Sequence, residues 1–284
     1  MVKRTFLYLA LIYIVFFVYG DIQKKSELTY ETGEKKEEGF MKDGKRIGKW
    51  MFWYKNGKVE SIGSFKEGKA IGEWLYYYKS GELLSKRKFK NGKKVGTWKD
   101  YFKNGQTQIR FSYKDDKLDG KMTYWYINGK IKKEGLYKKG KMTGIWTYYT
   151  IDGILKSEGS FVNNKAEGEW FYYNEKGIVI SRVIFKDGMP NGLWINYYDT
   201  KEKKNEGNYI NGKKNGKFVH YYKDKVIKLR EEYKNGKKNG HFVSYSKKGI
   251  KIMEGDYKDD KKIGIWITYD LDGKPANEEV IKDK

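Results

Sequence analysis

Aromatic and aliphatic residues along this chain come in short runs, such as WLYYY at 74–78 and ELLSKRKF at 82–89, and turn signals close each run. Runs of this length between glycine- and asparagine-bearing turns predict β-strands. Two kinds of turn alternate. One carries Asn56-Gly57, Ser80-Gly81, Asn104-Gly105 or Asn128-Gly129, and the other reads like Lys42-Asp43-Gly44-Lys45. Strand, turn, strand, turn predicts a succession of β-hairpins.

The pattern has a fixed period. Glycine stands at residues 48, 72, 96, 120, 144, 168, 192, 216, 240 and 264, each 24 after the last, so residues 39–278 divide into ten units. Two places after that glycine come Trp50, Trp74, Trp98, Met122, Trp146, Trp170, Trp194, Phe218, Phe242 and Trp266. Three places further, Trp53, Tyr77, Tyr101, Trp125, Tyr149, Tyr173, Tyr197, Tyr221, Tyr245 and Tyr269 are aromatic in every unit. Seven before the glycine, Met41, Phe65, Phe89, Tyr113, Tyr137, Phe161, Phe185, Tyr209, Tyr233 and Tyr257 form a third column. A single hairpin is marginal in water, and stacked neighbours give each one a core. The columns then become ladders of packed rings. The first two lie three residues apart, an odd step on a strand, so either a bulge separates them or both faces carry rings.

Glycine plays two parts. The third place of the Lys-Asp-Gly-Lys turn is Gly in seven units and Asp116, Asn164 or Asp260 in the others. These residue types best tolerate positive φ, so that column specifies backbone shape. The ten-fold invariant column (Gly48, Gly72, Gly96, Gly144, Gly168, Gly192, Gly264 and their equivalents) admits no Asn or Asp, which predicts close packing against an aromatic ring. Lys201 and Lys225 replace the glycine of the first turn type and predict irregular turns in units seven and eight.

The consensus Gly-x-Phe-Lys-x-Gly-Lys-x-x-Gly-x-Trp-x-x-Tyr-Tyr-x-x-Gly, as at 63–81, resembles the MORN repeat in its bacterial variant form. The resemblance covers about 240 residues. It implies an all-β fold, an elongated array of ten 24-residue hairpins forming a twisted antiparallel sheet rod. Two strands per unit would make that rod roughly 100 Å long. Residues 21–38 read as a cap containing half a unit, because Tyr30-Glu31-Thr32-Gly33 matches Tyr54-Lys55-Asn56-Gly57, and residues 279–284 read as a closing strand. Half-units at the ends would cover open strand edges.

Charge and the amino terminus alter the picture. The chain of 284 residues carries 60 Lys+Arg against 37 Asp+Glu, a net charge of +23, and has no cysteine. Met1-Val-Lys-Arg precedes an apolar stretch from Thr5 to Tyr19, shorter than the roughly 20 residues of a spanning helix. Val18-Tyr19-Gly20 places small residues where signal peptidase cuts, so residues 1–20 read as a signal peptide, with an uncleaved anchor as the alternative. Either way the body is expected outside the cytoplasm: periplasmic, at the cell surface or secreted. Without cysteine there is neither a lipid-attachment site nor a disulfide, and burial with sheet hydrogen bonds must hold the fold.

Chemistry is sparse. His220 and His241 occupy different places in their units and are expected at solvated or edge positions. Asp43, Asp115, Asp187 and Asp259 recur at one turn column in only some units, unlike a catalytic pair. Gly39 to Gly44-Lys45, and Gly63 to Gly68-Lys69, match phosphate-loop spacing, but Arg46 and Ala70 follow where Ser or Thr should hold magnesium. No enzyme, metal, cofactor or small-molecule substrate is therefore expected.

Two lysine columns flank the Asp-Gly turn. Lys42, Lys66, Lys90, Lys114, Lys138, Lys186, Lys234 and Lys258 form one; Lys45, Lys69, Lys93, Lys117, Lys141, Lys165, Lys213, Lys237 and Lys261 form the other. Stacking would align them along one edge at roughly 10 Å intervals, about one Debye length. Lysine also keeps edges soluble, so the columns serve either solubility or an anionic partner. The resemblance implies a non-catalytic scaffold contacting a protein, with anionic lipid or an acidic envelope polymer as other partners. Bacterial MORN-variant proteins are also described as antitoxin-like, which makes neutralisation of a toxin the alternative. Export disfavours nucleic acid.

Overall fold

The computed structural model describes residues 23–282, and its regular structure there is entirely β-strand. The leader segment lies outside the described residues. Twenty-five strands run from Lys24–Thr29 to Pro275–Ile281 in one sheet that does not close into a barrel, and every pairing in it is antiparallel. Each 24-residue unit supplies a first strand, such as Leu155–Val162, and a second, such as Lys165–Tyr173. The Asp-Gly turns thus line one edge of the sheet and the Asn-Gly turns the other.

Both turns follow from local chemistry. At the tip of every unit the two loop residues have positive φ, as in Asp43 (49°) with Gly44 (72°) and Asn163 (51°) with Asn164 (70°). Two such residues make the type I′ turn, whose twist matches the flanking strands. At the other edge the Gly57 N–H donates to the Tyr54 carbonyl (2.9 Å) and the Tyr54 N–H to the Lys58 carbonyl (2.8 Å). Units seven and eight correct the expectation of irregular turns. Lys201 (φ 75°) and Lys225 (φ 69°) adopt the glycine conformation, and their N–H groups make the same bonds to Tyr198 and Tyr222, at 2.9 and 3.0 Å. Two hydrogen bonds and the continuing ladder outweigh the cost of a left-handed lysine, on the order of 1–2 kcal/mol.

The invariant glycine also departs from expectation. In the pairing of Leu155–Val162 with Lys165–Tyr173, Gly159 faces Trp170 while Ser160 already faces Glu167, so Gly168 and Glu169 are extra. This bulge recurs in every unit, and its glycine has positive φ in all ten. A Cβ on Gly48, Gly72, Gly168, Gly216 or Gly264 would meet nothing within 4 Å. Backbone conformation, not close packing, fixes that column. Close packing belongs to a glycine nine places earlier. A Cβ on Gly39, Gly63, Gly135, Gly159 or Gly255 would stand 2.0–2.4 Å from the indole of its own unit, and one on Gly207 would be 2.2 Å from Phe218. The indole lies flat on bare backbone. The Nε1–H of Trp50, Trp146 and Trp170 reaches a carbonyl of the facing strand, at Phe40 (3.2 Å), Leu136 (3.3 Å) and Ser160 (3.2 Å), whereas that of Trp74 and Trp266 is buried without a partner among the described residues.

Four units lack this second glycine, and each is disturbed. After Arg87, Phe111 and Glu231 the second strand breaks, at Val95, Asp119 and Asn239, whose N–H groups turn to the carbonyls of Lys88, Ser112 and Glu232. After Val183 the strand stays whole, but Trp194 leaves the core; Val183 and Ile195 are buried, and Trp194 Nε1–H donates to Ser181 and Asn196.

Of the two sequence alternatives for the aromatic columns, the second holds: rings occupy both faces of the sheet. Between Trp50 and Trp53 the second strand alternates regularly, while its partner has an extra residue at Glu60. Alternation puts Trp50 and Phe52 on one face and Trp53 on the other. On the first face Trp50 stacks on Phe52 (6.1 Å) and meets Phe65 edge-on (6.1 Å), and those rings continue to Trp74 at 6.0 and 5.0 Å. This ladder buries Trp50, Trp146 and Trp266 almost completely although the described residues form a single sheet layer. Basic side chains cap it, Arg46 4.4 Å above Trp50 and Lys262 4.1 Å above Trp266.

Candidate interaction surface

The tips of the type I′ turns bring the two lysine columns together. Lys42 stands directly opposite Lys45, and the same holds for Lys66 and Lys69, Lys90 and Lys93, and Lys114 and Lys117. Lys138 faces Lys141, Lys234 faces Lys237, and Lys258 faces Lys261. Seven tips thus oppose two ammonium groups, an arrangement that disfavours pairing. Units six to eight carry one lysine in the pair, against Val162, Met189 or Ile210, and Lys165 is neutralised by Asp187 at 3.1 Å.

Tips are rigidly spaced. The N–H of the second turn residue donates to the backbone of the preceding unit, as Gly68 does to Arg46 (2.9 Å) and Gly188 to Ala166 (2.9 Å). Asp116, Asn164 and Asp260 add a second bond, their side-chain oxygens accepting from the N–H groups of Lys94, Met142 and Lys238 at 2.7–2.8 Å. At the far edge Tyr30, Tyr54, Tyr78, Tyr126, Tyr198 and Tyr222 donate their hydroxyls to the backbone of the next unit, at 2.7–2.9 Å. Sequence reasoning missed this clasp, although a tyrosine just before the turn was its signal.

The face opposite the core holds the half-buried Trp53 and Tyr77 column. There Tyr173 donates to Glu158 (2.6 Å), Tyr221 to Glu206 (2.7 Å) and Tyr269 to Glu254. Burial and the neighbouring carboxylate push Tyr173 and Tyr221 up to about 12.

One cluster brings titratable groups together around Glu231. Glu231 replaces the glycine beneath Phe242 and is buried. Tyr233 donates to it at 2.8 Å, and Lys238 and His220 stand 3.0 and 3.3 Å away. Burial alone would raise this carboxyl, but His220, Lys238 and Tyr233 outweigh it and hold the group at about 2. His220 is therefore a half-buried partner of Glu231 rather than a solvated edge residue, whereas His241 is exposed beside Asp256 at 3.2 Å. Gly44-Lys45 and Gly68-Lys69, which match phosphate-loop spacing, lie at hairpin tips. The described residues contain no helix to aim at a phosphate and no group of three metal-ligating side chains.

The family model described as MORN repeat variant matches residues 46–67, 71–91, 94–115 and 118–139. Comparison with curated proteins finds no match. Among solved structures, a chain of TcdB2-TccC3-Cdc42 is 10% identical with a TM-score of 0.20, over 88% of this chain and 15% of that one. A chain of TcdB2-TccC3-TEV is 11% identical with a TM-score of 0.20, over 90% of this chain and 14% of that one. The chain therefore spans only about a seventh of the length of these solved chains.

Proposed function

We propose that this chain, four stretches of which match the MORN repeat variant between residues 46 and 139, is an exported, non-catalytic scaffold whose lysine edge holds an acidic protein. The observation that carries this reading is the opposition of two lysines at seven tips. Solubility alone needs one lysine per tip, as units six to eight illustrate. A second, placed where it repels the first, costs stability that an anionic partner would repay. Sheets twist by roughly 20–25° per strand, so the tips follow a spiral. A flat bilayer would touch few of them, while an acidic chain could follow many.

The test is binding of long polyglutamate to the full chain as salt is varied, compared with a variant carrying Gln at the paired tips of units one to five. Weaker binding with a flatter salt dependence, and folding stability unchanged or raised, is the expected result. Wild-type chain that ignores polyglutamate but pellets with anionic vesicles would overturn the acidic-protein reading in favour of lipid. Export is tested by cell fractionation with intact mass. A native species beginning at Asp21 supports it; a cytosolic species beginning at Met1 overturns it and puts toxin neutralisation first.

A further inference from the structure

The lysine edge is not uniform, and one stretch of it is concave. A groove of about 780 Å³ lies between the tips of units eight, nine and ten. Lys213, Lys234, Lys237 and Lys258 line it, all exposed, and none of the four makes an ion pair among the described residues. The amides of Asn235 and Asn239 stand among them, and Tyr257 and Ile263, both half-buried, supply an apolar wall. Asp256 also borders the groove but is engaged by His241, whereas Asp259 has no partner among the described residues.

Its origin is the exception described above. Glu231 occupies the glycine position of unit nine, the second strand leaves the ladder at Asn239, and Gly240 has φ +116°, whereas Gly96 at the break of unit three keeps +65°. The other broken units do not combine the same features. Unit three has Val95 at the break, and unit four has Asp119 there with Asp115 and Asp116 at its tip. Unit nine alone among the three places an amide at the break and no acid at its tip.

We propose that this groove is the anchoring site for a short acidic peptide segment carrying one apolar side chain between its carboxylates; the proposal deepens the reading of the edge as an acidic-protein scaffold and rests on it. Four ammonium groups meet the carboxylates, and ammonium suits such contacts as a mobile point charge without the planar fork of arginine. The two asparagine amides can donate to and accept from a peptide backbone, which a phosphate or sulfate ester lacks. Tyr257 and Ile263 receive the apolar side chain, a contact that gives a simple anion nothing.

Fluorescence anisotropy on the full chain tests this, with a labelled peptide of four glutamates around one phenylalanine as probe. Lys234→Gln with Lys237→Gln should weaken binding by roughly tenfold, the sum of two exposed charge contacts. Lys66→Gln with Lys69→Gln, at the tip of unbroken unit two, should change it less than about twofold. Asp259→Asn should tighten binding, and replacing the peptide phenylalanine with serine should weaken it. Equal losses at both tips would mean diffuse edge electrostatics and overturn the groove, while leaving binding of long polyglutamate intact. Failure of the wild-type chain to bind the peptide, or equally tight binding of inorganic tripolyphosphate, would also overturn it. Loss of polyglutamate binding altogether would instead count against the scaffold reading.

Discussion

Two glycines nine residues apart in unit six should respond in opposite ways to the same pair of substitutions. Gly159 has ordinary extended backbone, but a Cβ there would stand 2.2 Å from Cδ2 of Trp170. Gly168 has φ +72° and open space where its Cβ would go. Alanine at 159 therefore costs through packing alone. The displaced indole is almost fully buried and touches Phe161 at 5.1 Å, Phe185 at 5.9 Å, Tyr148 at 6.3 Å and Tyr172 at 6.4 Å. Overpacking costs about 1–3 kcal/mol, and loosening several ring pairs at about 0.5–1.5 kcal/mol each adds to it. Complete loss of a core tryptophan, about 3–5 kcal/mol, sets the ceiling. We expect about 2–4 kcal/mol for Gly159→Ala.

Gly168→Ala costs through backbone conformation, about 1–2 kcal/mol. Asparagine separates the mechanisms. Because it visits the left-handed region readily, Gly168→Asn should be milder than Gly168→Ala, whereas Gly159→Asn, being larger, should be worse than Gly159→Ala. Stability is best read by native-state hydrogen exchange along the chain, since a stack of units need not unfold in one step. Protection should fall first in units five to seven. The reasoning fails if Gly159→Ala is neutral, or if alanine and asparagine rank in the same order at both positions.

Three further outcomes follow from particular contacts. Tyr126→Phe removes the 2.9 Å hydrogen bond to the Tyr149 carbonyl and should lower the local stability of units four and five by about 0.5–1.5 kcal/mol, read as faster exchange at their shared edge. Lys201→Gly relieves a left-handed lysine and should raise stability by about 0.5 kcal/mol after the added freedom of the unfolded chain is counted, read as a higher urea midpoint; a drop would mean that the lysine side chain holds the turn. Glu231 lies at about 2, below the ordinary carboxylate value, so its ionised form contributes stability above about pH 4.5 that disappears as pH falls toward 2. Acid titration of the folded chain should therefore be shallower in Glu231→Gln by on the order of 2–3 kcal/mol across that window, and identical curves would remove the cluster as a source of acid sensitivity.

The period, strand order, turn positions and tip chemistry were legible in the sequence because each is a local demand repeated ten times. Positive φ at Asp116, Asn164 and Asp260 followed from residue type alone. The part that was not legible is relational. Which of two glycine columns supports the indole depends on the two-residue bulge, and the bulge shows only as a register difference between strands. The column under the indole also tolerates Arg87, Phe111, Val183 and Glu231, so it looked dispensable beside the column that never varies. Variation hid the packing role, and invariance suggested a packing role where only the backbone is constrained.

Those four exceptions explain how a uniform array acquires distinct places. A glycine lost under the indole leaves the unit three ways to respond. The core residue can shrink, as Met122 does beside Phe111; it can leave, as Trp194 does above Val183; or the polar newcomer can be satisfied in place, as Glu231 is by Tyr233, Lys238 and His220. The last solution gives up close packing for a charged network, and such networks hold only when every member is paired. It also breaks the strand at Asn239 and reshapes the neighbouring tips. A change made on the core face for packing reasons is thereby expressed at the lysine edge, where an otherwise repetitive surface becomes concave. Restoring glycine at 231 should mend the strand and flatten the groove together. If Glu231→Gly restored the ladder, seen as protection of the Asn239 amide, while peptide binding at unit nine persisted, the link between the two faces would be broken.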